Sequence, residues 1–304
     1  MDEIDKRIIL ELDENCRTSY ESMARKFGMT ANAIKKRVSR LLDSGLIVRF
    51  MVGLTLEMVN AELVIALVQT DGTEFTKDFV NQIGQRVDVM QVSPVACGLG
   101  NLYCLFAFAT GPKGVLELGG HLRAMKSTTN VEIHILVYPK GKKMKLSKTH
   151  KRVLGVLLDD PRMSISDISK RLNLTARRIR KSLKEIQDGG AVHFSVYWSL
   201  GSGYLTEILM RIEWDPAAAS VDEIVEWLRT NYPLEFWSPF ISATSPTVFA
   251  RFVVRQLERG DEIMRAIRRA PFTEKVSPLV FFSTEVFEWP GTRKLREFLD
   301  REGV

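Results

Sequence analysis

The apolar positions of this chain follow two periods that alternate along its length. Ile4, Ile8, Ile9 and Leu12 recur at helical spacing, with Asp2 placed to cap the helix start. Ser19 opens a shorter helix with Met23, Ala24 and Phe27 inward, and Gly28 follows where a left-handed residue would end it. Thr30 caps a third helix that carries Ile34, Val38 and Leu41 on one face. The period then shortens. After Gly45 the stretch LIVRF alternates, and AELVIALVQT, DVMQVSPVACG, NLYCLFAFAT and VEIHILVYP are strand-like. EFTKDFVNQIGQR and GVLELGGHLRAMK between them are helix-like. Strand, helix, strand, strand, helix, strand is a ferredoxin-like βαββαβ order, an antiparallel sheet with helices on one face.

The whole layout is then written a second time. Residues 5–50 align without a gap on residues 150–195, and eleven positions are identical. Among them are Lys6/Lys151, Arg7/Arg152, Arg17/Arg162, Ser19/Ser164, Thr30/Thr175, Lys36/Lys181 and Gly45/Gly190. Asn173 replaces Gly28 and is the next most tolerant residue for a left-handed conformation. Thr175 caps a helix with Ile179, Leu183 and Ile186 inward, AVHFSVY follows Gly190, and residues 204–288 repeat the βαββαβ order. Internal repeats set the architecture before any finer reading. The expected fold is α+β, with two winged helix-turn-helix domains (1–56 and 146–200) alternating with two ferredoxin-like domains (57–139 and 203–304). LIVRF and AVHFSVY are expected as wing strands, and the last domain is expected to carry a C-terminal helix with Leu295, Phe298 and Leu299 on one side. Both faces of the ferredoxin-like strands are apolar in places, so the two sheets are expected to pair face to face, within one chain or between chains.

Charge changes this picture more than composition does. The net charge is +6, but residues 140–184 hold fifteen Lys/Arg against three Asp, a local net of +12, which leaves −6 for the rest. Such a block is the footprint of a polyanion partner, although residues 140–148 also read as a solvated, protease-sensitive linker. The polar faces of the two third helices are basic. Thr30, Asn32, Lys35, Lys36, Ser39 and Arg40 lie on the first. Thr175, Arg177, Arg178, Arg180, Lys181 and Lys184 lie on the second. A short helix, a tight turn, and a helix with one apolar stripe and one basic face form a helix-turn-helix pattern, whose last helix fits the major groove of double-stranded DNA.

Other chemistry is sparse. Cys16, Cys97 and Cys104 are odd in number and lie in helix- or strand-like patterns, so they read as buried thiols in a reducing cytoplasm, with no metal site. The start, MDEIDKR, has no apolar signal region, and no uncharged apolar run approaches the ~18–20 residues of a membrane span.

With the opening DEIDKRIILEL, the helix-turn-helix SYESMARKFGMTANAIKKRVSRLLDSGLI, the wing and the βαββαβ segment in place, the chain resembles the Lrp/AsnC transcription regulators, twice over. The resemblance implies gene regulation through DNA, tuned in some members by an amino-acid-like effector, and self-association through the sheets. Family members carry one unit per chain, so two units look like a covalent pseudo-dimer able to read an asymmetric site with two unlike heads. The family's glycine-containing turn matches Gly98, Leu99, Gly100 and Asn101, which makes Gly98, Gly100 and Asn101 the candidate effector residues; a plain hairpin turn explains the glycines equally well. The second copy has Ala243, Thr244, Ser245 and Pro246 there, without glycine.

Siroheme decarboxylases share this family's look and form the enzyme alternative. They would need His and Arg clustered at a tetrapyrrole pocket, whereas His121, His134, His150 and His193 are scattered along the chain. No catalytic triad, phosphate loop or carboxylate pair is apparent. The expectation is a regulator without catalytic residues or cofactor.

Overall fold

The computed structural model describes residues 1–96, 101–199, 205–301 and 303. In the first copy three helices, α1 (Glu3–Glu14), α2 (Tyr20–Phe27) and α3 (Ala31–Asp43), precede β1 (Ile47–Leu54) and the short α4 (Leu56–Val59). The βαββαβ segment follows as β2 (Ala61–Thr70), α5 (Thr76–Gly84), β3 (Val89–Ala96), β4 (Leu102–Thr110), α6 (Gly111–Ala124) and β5 (Thr128–Val137). The second copy gives α7 (Lys148–Asp159), α8 (Ile165–Leu172), α9 (Ala176–Gly189) and β6 (Val192–Trp198). It continues as β7 (Thr206–Trp214), α10 (Val221–Asn231), β8 (Phe236–Ser242), β9 (Thr247–Val254), α11 (Leu257–Arg268) and β10 (Thr273–Phe281). The chain ends with β11 (Glu285–Val286) and α12 (Pro290–Arg301). No helix among the described residues is long and apolar enough to cross a membrane.

The helix boundaries follow from capping. Asp2 and Asp5 form a reciprocal capping box on α1, and Ser147 and His150 form one on α7. Ser19, Thr30, Ser164 and Thr175 each accept an amide three residues on. Gly28 (φ 67°) and Asn173 (φ 50°) end α2 and α8 in the left-handed region, which these two residue types adopt with the least strain.

Two compact units form, and each draws on both copies. The first comprises Met1–Ala61, Lys140–Ser199 and Glu288–Val304. Here the strands after α3 and α9, expected as wing strands, pair with each other. Each copy supplies one strand, and β1 pairs antiparallel with β6, from Ile47 opposite Trp198 to Leu54 opposite Val192. A lone strand leaves an unpaired edge, and the other copy provides its partner in the same chain. Around this ribbon the contacts are reciprocal. Arg17 Nη2 donates to the Met163 carbonyl at 3.0 Å, and its Nη1 donates to that of Pro161. Arg162 donates to the carbonyls of Cys16 and Thr18, and stacks 4.8 Å from the Tyr20 ring centroid. Arg17 and Arg162 are equivalent in the repeat, so one residue identity serves both sides of a pseudo-dyad. The C-terminal helix α12 also belongs to this unit. It packs on β1, α7 and α4 with Leu295 and Leu299 buried, and so departs from the expected grouping with the ferredoxin-like domain before it.

Residues 140–147 are not a loose linker. The Lys140 carbonyl accepts from Glu57 N at 2.8 Å, and Lys142 N donates to the Gly190 carbonyl at 2.7 Å. Leu146 is buried, and Met144 Sδ sits where a Cβ on Gly189 would be. Gly141 has φ +77°, and a Cβ there would lie 2.6 Å from both the Gly190 carbonyl and Thr55, so only glycine fits the pinned path.

The second unit comprises Glu62–Pro139 and Leu200–Phe287. Each βαββαβ segment makes a four-stranded antiparallel sheet, and the strand order runs β10-β7-β9-β8-β5-β2-β4-β3, with β11 on the far side of β3. The sheets do more than face each other. Their edges join, β5 to β8 through Leu136 opposite Ser242, and β3 to β10 through Ala96 opposite Val280, which closes a barrel within one chain. Closure removes the sheet edges and explains why both strand faces are apolar. One face of each sheet, with Val64, Ala66 and Leu105 or Met210, Ala250 and Phe252, packs on the helices. The alternate residues, among them Ile65, Cys104, Leu209 and Phe249, are buried on the inner face, where the rings of Phe106 and Phe240 meet at 4.9 Å.

Candidate nucleic-acid interface

The basic faces of α3 and α9 are exposed at every position the sequence singled out. Thr30 and Thr175 are committed to capping and set where each helix starts. Behind the faces, Ile34, Val38 and Leu41 in α3 and Ile179, Leu183 and Ile186 in α9 are buried and hold the helices in place.

The faces are occupied unequally. In α3, Arg40 Nη2 pairs with Asp5 at 3.0 Å, and Arg37 Nη1 bonds both Asp2 and Asp5 at 2.8 and 2.7 Å. Hydrogen bonds first to Asp2 and then to Asp5 hold the Arg37 guanidinium above its ordinary value. Arg40 is therefore tied to α1 through Asp5 while its side chain stays exposed. Asn32, Lys35, Lys36 and Ser39 make no such tie among the described residues. In α9, Arg178 donates to Thr149 Oγ1 at 3.0 Å, Lys181 lies 3.7 Å from Glu185, and Lys184 lies 2.6 Å from Asp188. Arg177 and Arg180 stand exposed with no ion pair among the described residues. Pairs of this exposed kind are worth about 0–1 kcal/mol and yield readily to a phosphate.

One position inverts between the copies. Asp5 and Arg40 of the first copy correspond to His150 and Glu185 of the second, and His150 Nε2 again meets its partner, Glu185, at 2.9 Å. The contact between first and third helix is kept while its polarity is swapped.

The candidate effector residues lie elsewhere, in the second unit. Gly98 and Gly100 fall outside the described residues. Asn101 is spoken for: its Nδ2 donates to Glu74 Oε1 at 2.7 Å, which also accepts from Tyr103 and Thr70. Burial would raise the Glu74 carboxyl, but the donors led by Asn101 and Tyr103 outweigh it and hold the group below its ordinary value. An open cleft of about 330 Å³ lies instead at the second copy's turn. Its walls are Glu132 and His134 of β5, Arg211 and Glu213 of β7, Glu274, and residues Thr244 to Thr247. Arg211 grips Glu132 with both nitrogens at 2.7 and 2.8 Å, and His134 bridges Glu132 at 2.8 Å to Ser242 at 3.0 Å. Burial pushes Glu132 up, yet Arg211 and then His134 bring its carboxyl below the ordinary value. This cluster was invisible in the sequence, because His134 and Arg211 are 77 residues apart and meet only through the β5–β8 junction.

The first unit thus carries two helix-turn-helix heads, each with an exposed basic helix. Residues 1–42 match the AsnC-type helix-turn-helix domain, and residues 146–192 match a winged helix-turn-helix DNA-binding family. Each copy of the repeat thus has a helix-turn-helix family match over its three-helix segment. An HTH-type transcriptional regulator of Mycobacterium tuberculosis is 40% identical over 50 residues, 16% of this chain and 34% of that protein. The regulator LysM of Sulfurisphaera tokodaii is 35% identical over 71 residues, 23% of this chain and 49% of its own length. The chain therefore spans between a third and a half of these two relatives. Among solved structures, the siroheme decarboxylase NirDL is similar over 100% of both chains, with a TM-score of 0.57 and 14% identity, a likeness of fold.

Proposed function

We propose that this chain is a sequence-specific, DNA-binding transcription regulator of the Lrp/AsnC type that reads an asymmetric site with two unlike heads. The observation that carries the reading is the pair of capped, core-anchored helices α3 and α9, whose exposed faces hold Asn32, Lys35 and Lys36 in one and Arg177, Arg180 and Lys181 in the other. Lys and Arg at such a face meet phosphates and base edges. Both heads lie in one compact unit tied by the β1–β6 ribbon and the Arg17 and Arg162 contacts, so the second head meets its half-site at high effective concentration.

The test is a salt-titrated binding assay against the DNA upstream of the protein's own gene and a scrambled duplex. Lys35→Ala, Lys36→Ala and Arg180→Ala are each expected to weaken binding and to flatten the dependence of log K on log salt by about 0.9 for every phosphate no longer neutralised. Arg177→Ala with Lys181→Ala is expected to erase one half of a footprint and spare the other. Unchanged slopes in all three single variants, or equal loss across the footprint, would sink the reading.

A small effector fits the second unit better at the Thr244–Thr247 cleft than at Asn101, whose side chain is already engaged. A cleft of about 330 Å³ is at the small end of ligand sites, which run from about 300 to 1,000 Å³. The tetrapyrrole alternative draws on one observation, the meeting of His134, Glu132 and Arg211. A Soret absorbance on the purified protein, or its appearance on adding siroheme, would favour that alternative over regulation.

A further inference from the structure

A basic segment runs into the second head. Residues 140–148 run as a strap whose backbone is fixed against Glu57 and Gly190, with Leu146 buried and Lys142, Lys143, Lys145 and Lys148 exposed. Lys142, Lys145 and Lys148 make no ion pair among the described residues, and Lys143 reaches Glu57 only at 3.7 Å. The strap leads into the start of α7, and there Arg178 of α9 donates to Thr149. The strap therefore ends beside the first turn of α9. The first copy has the opposite charge at the same place. Asp2, Glu3 and Asp5 stand where Ser147, Lys148 and His150 stand in the second, and Asp2 and Asp5 bind Arg37 and Arg40.

We propose that the pinned lysine strap, residues 140–148, is a second DNA-contacting surface that grips the phosphates of the duplex beside the site read by α9, so that the second head anchors the protein. The inference rests on the regulator reading above. Two physical points carry it. Of four like charges held on one fixed path, only Lys143 has an internal anion nearby, Glu57 at 3.7 Å, and a polyanion with evenly spaced phosphates supplies partners for the rest. A strap already ordered in the free protein loses little further backbone entropy on binding, unlike a mobile tail that folds on its target.

The test uses the full chain and a random-sequence duplex, with affinity followed between about 50 and 200 mM salt. Changing Lys142, Lys143, Lys145 and Lys148 together to Gln is expected to lower the salt slope by about 3–4, at about 0.9 per phosphate, with the melting temperature unchanged. The same four changed to Arg are expected to keep the slope, because charge and not lysine itself is required. Should the fourfold Gln variant fail to fold, Lys142→Gln and Lys145→Gln singly are each expected to remove about 0.9. A steep wild-type slope that Arg177→Ala with Arg180→Ala reduces but the Gln set leaves intact would overturn the strap alone. A slope reduced equally in the Gln and Arg sets would overturn it too. A wild type with no salt-dependent binding would overturn the regulator reading and the strap with it.

Discussion

Replacing Arg251 by alanine is expected to destabilise the protein by about 3–5 kcal/mol, the cost of breaking a buried ion pair by removing one partner. Arg251 and Glu207 face each other inside the barrel at 2.9 Å, each side chain 9% exposed. The guanidinium also lies 4.8 Å from the Phe240 ring centroid and 5.5 Å from that of Phe106. Burial raises the Glu207 carboxyl above its ordinary value of 4.5, and Arg251 is the charge that opposes this. The sign of the pH dependence follows. A carboxyl whose folded value lies above its unfolded one favours the fold while protonated and loses that advantage as pH rises through the folded value. Without Arg251 the folded value climbs further, so the Arg251→Ala deficit is expected to be largest at neutral and alkaline pH and to shrink in acid. Chemical denaturation at two pH values checks it; a deficit that grows in acid would rule the account out. Replacing Glu207 and Arg251 together by leucine and methionine is expected to recover most of the loss, because the orphaned charge is then gone.

Arg17→Ala and Arg162→Ala are each expected to cost about 1.5–3 kcal/mol, since each removes charged hydrogen bonds to two partly buried carbonyls of the other copy. Burial also lowers the Arg17 guanidinium below its ordinary value. Arg162 loses in addition its stacking on Tyr20 and on Phe50, whose ring centroid is 5.1 Å away. The effect should appear first as early exchange of the β1–β6 amides, because the ribbon is the seam those arginines clamp. Lysine in either place is expected to restore little, since one ammonium does not reproduce the fork that reaches two carbonyls. Unchanged protection of the ribbon in both variants would show that the strand pairing holds the heads without them.

The repeat explains how much of this could be read in advance. Caps at Ser19, Thr30, Ser164 and Thr175, the left-handed ends at Gly28 and Asn173, and the apolar stripes of α3 and α9 are local. Each depends on residues within a turn or two, so spacing alone locates them. The two βαββαβ orders were equally plain, because strand and helix periods differ and turn residues mark the boundaries.

What the sequence determined by itself was therefore the inventory: two helical heads, two sheets, and a basic run between residues 140 and 184. Only the tertiary structure decided how these parts are shared between the two copies. LIVRF and AVHFSVY read as wings because alternation shows that a strand exists and is silent on its partner; the partner is the other copy, 145 residues away. Lysines at 140–148 alone do not say whether the segment is a loose linker; that it follows a fixed path is set by Gly141, Met144 and Leu146 packing against Thr55, Gly189 and their neighbours. The Asp5 partner of Arg40 is not legible from spacing, and Arg17 is an unexplained identity until it meets Pro161 and Met163. The physical reason is the same each time. Propensity and capping act over a few residues, whereas edge pairing, ion pairing and burial join residues far apart in the chain, and they are set only when the two copies close on each other.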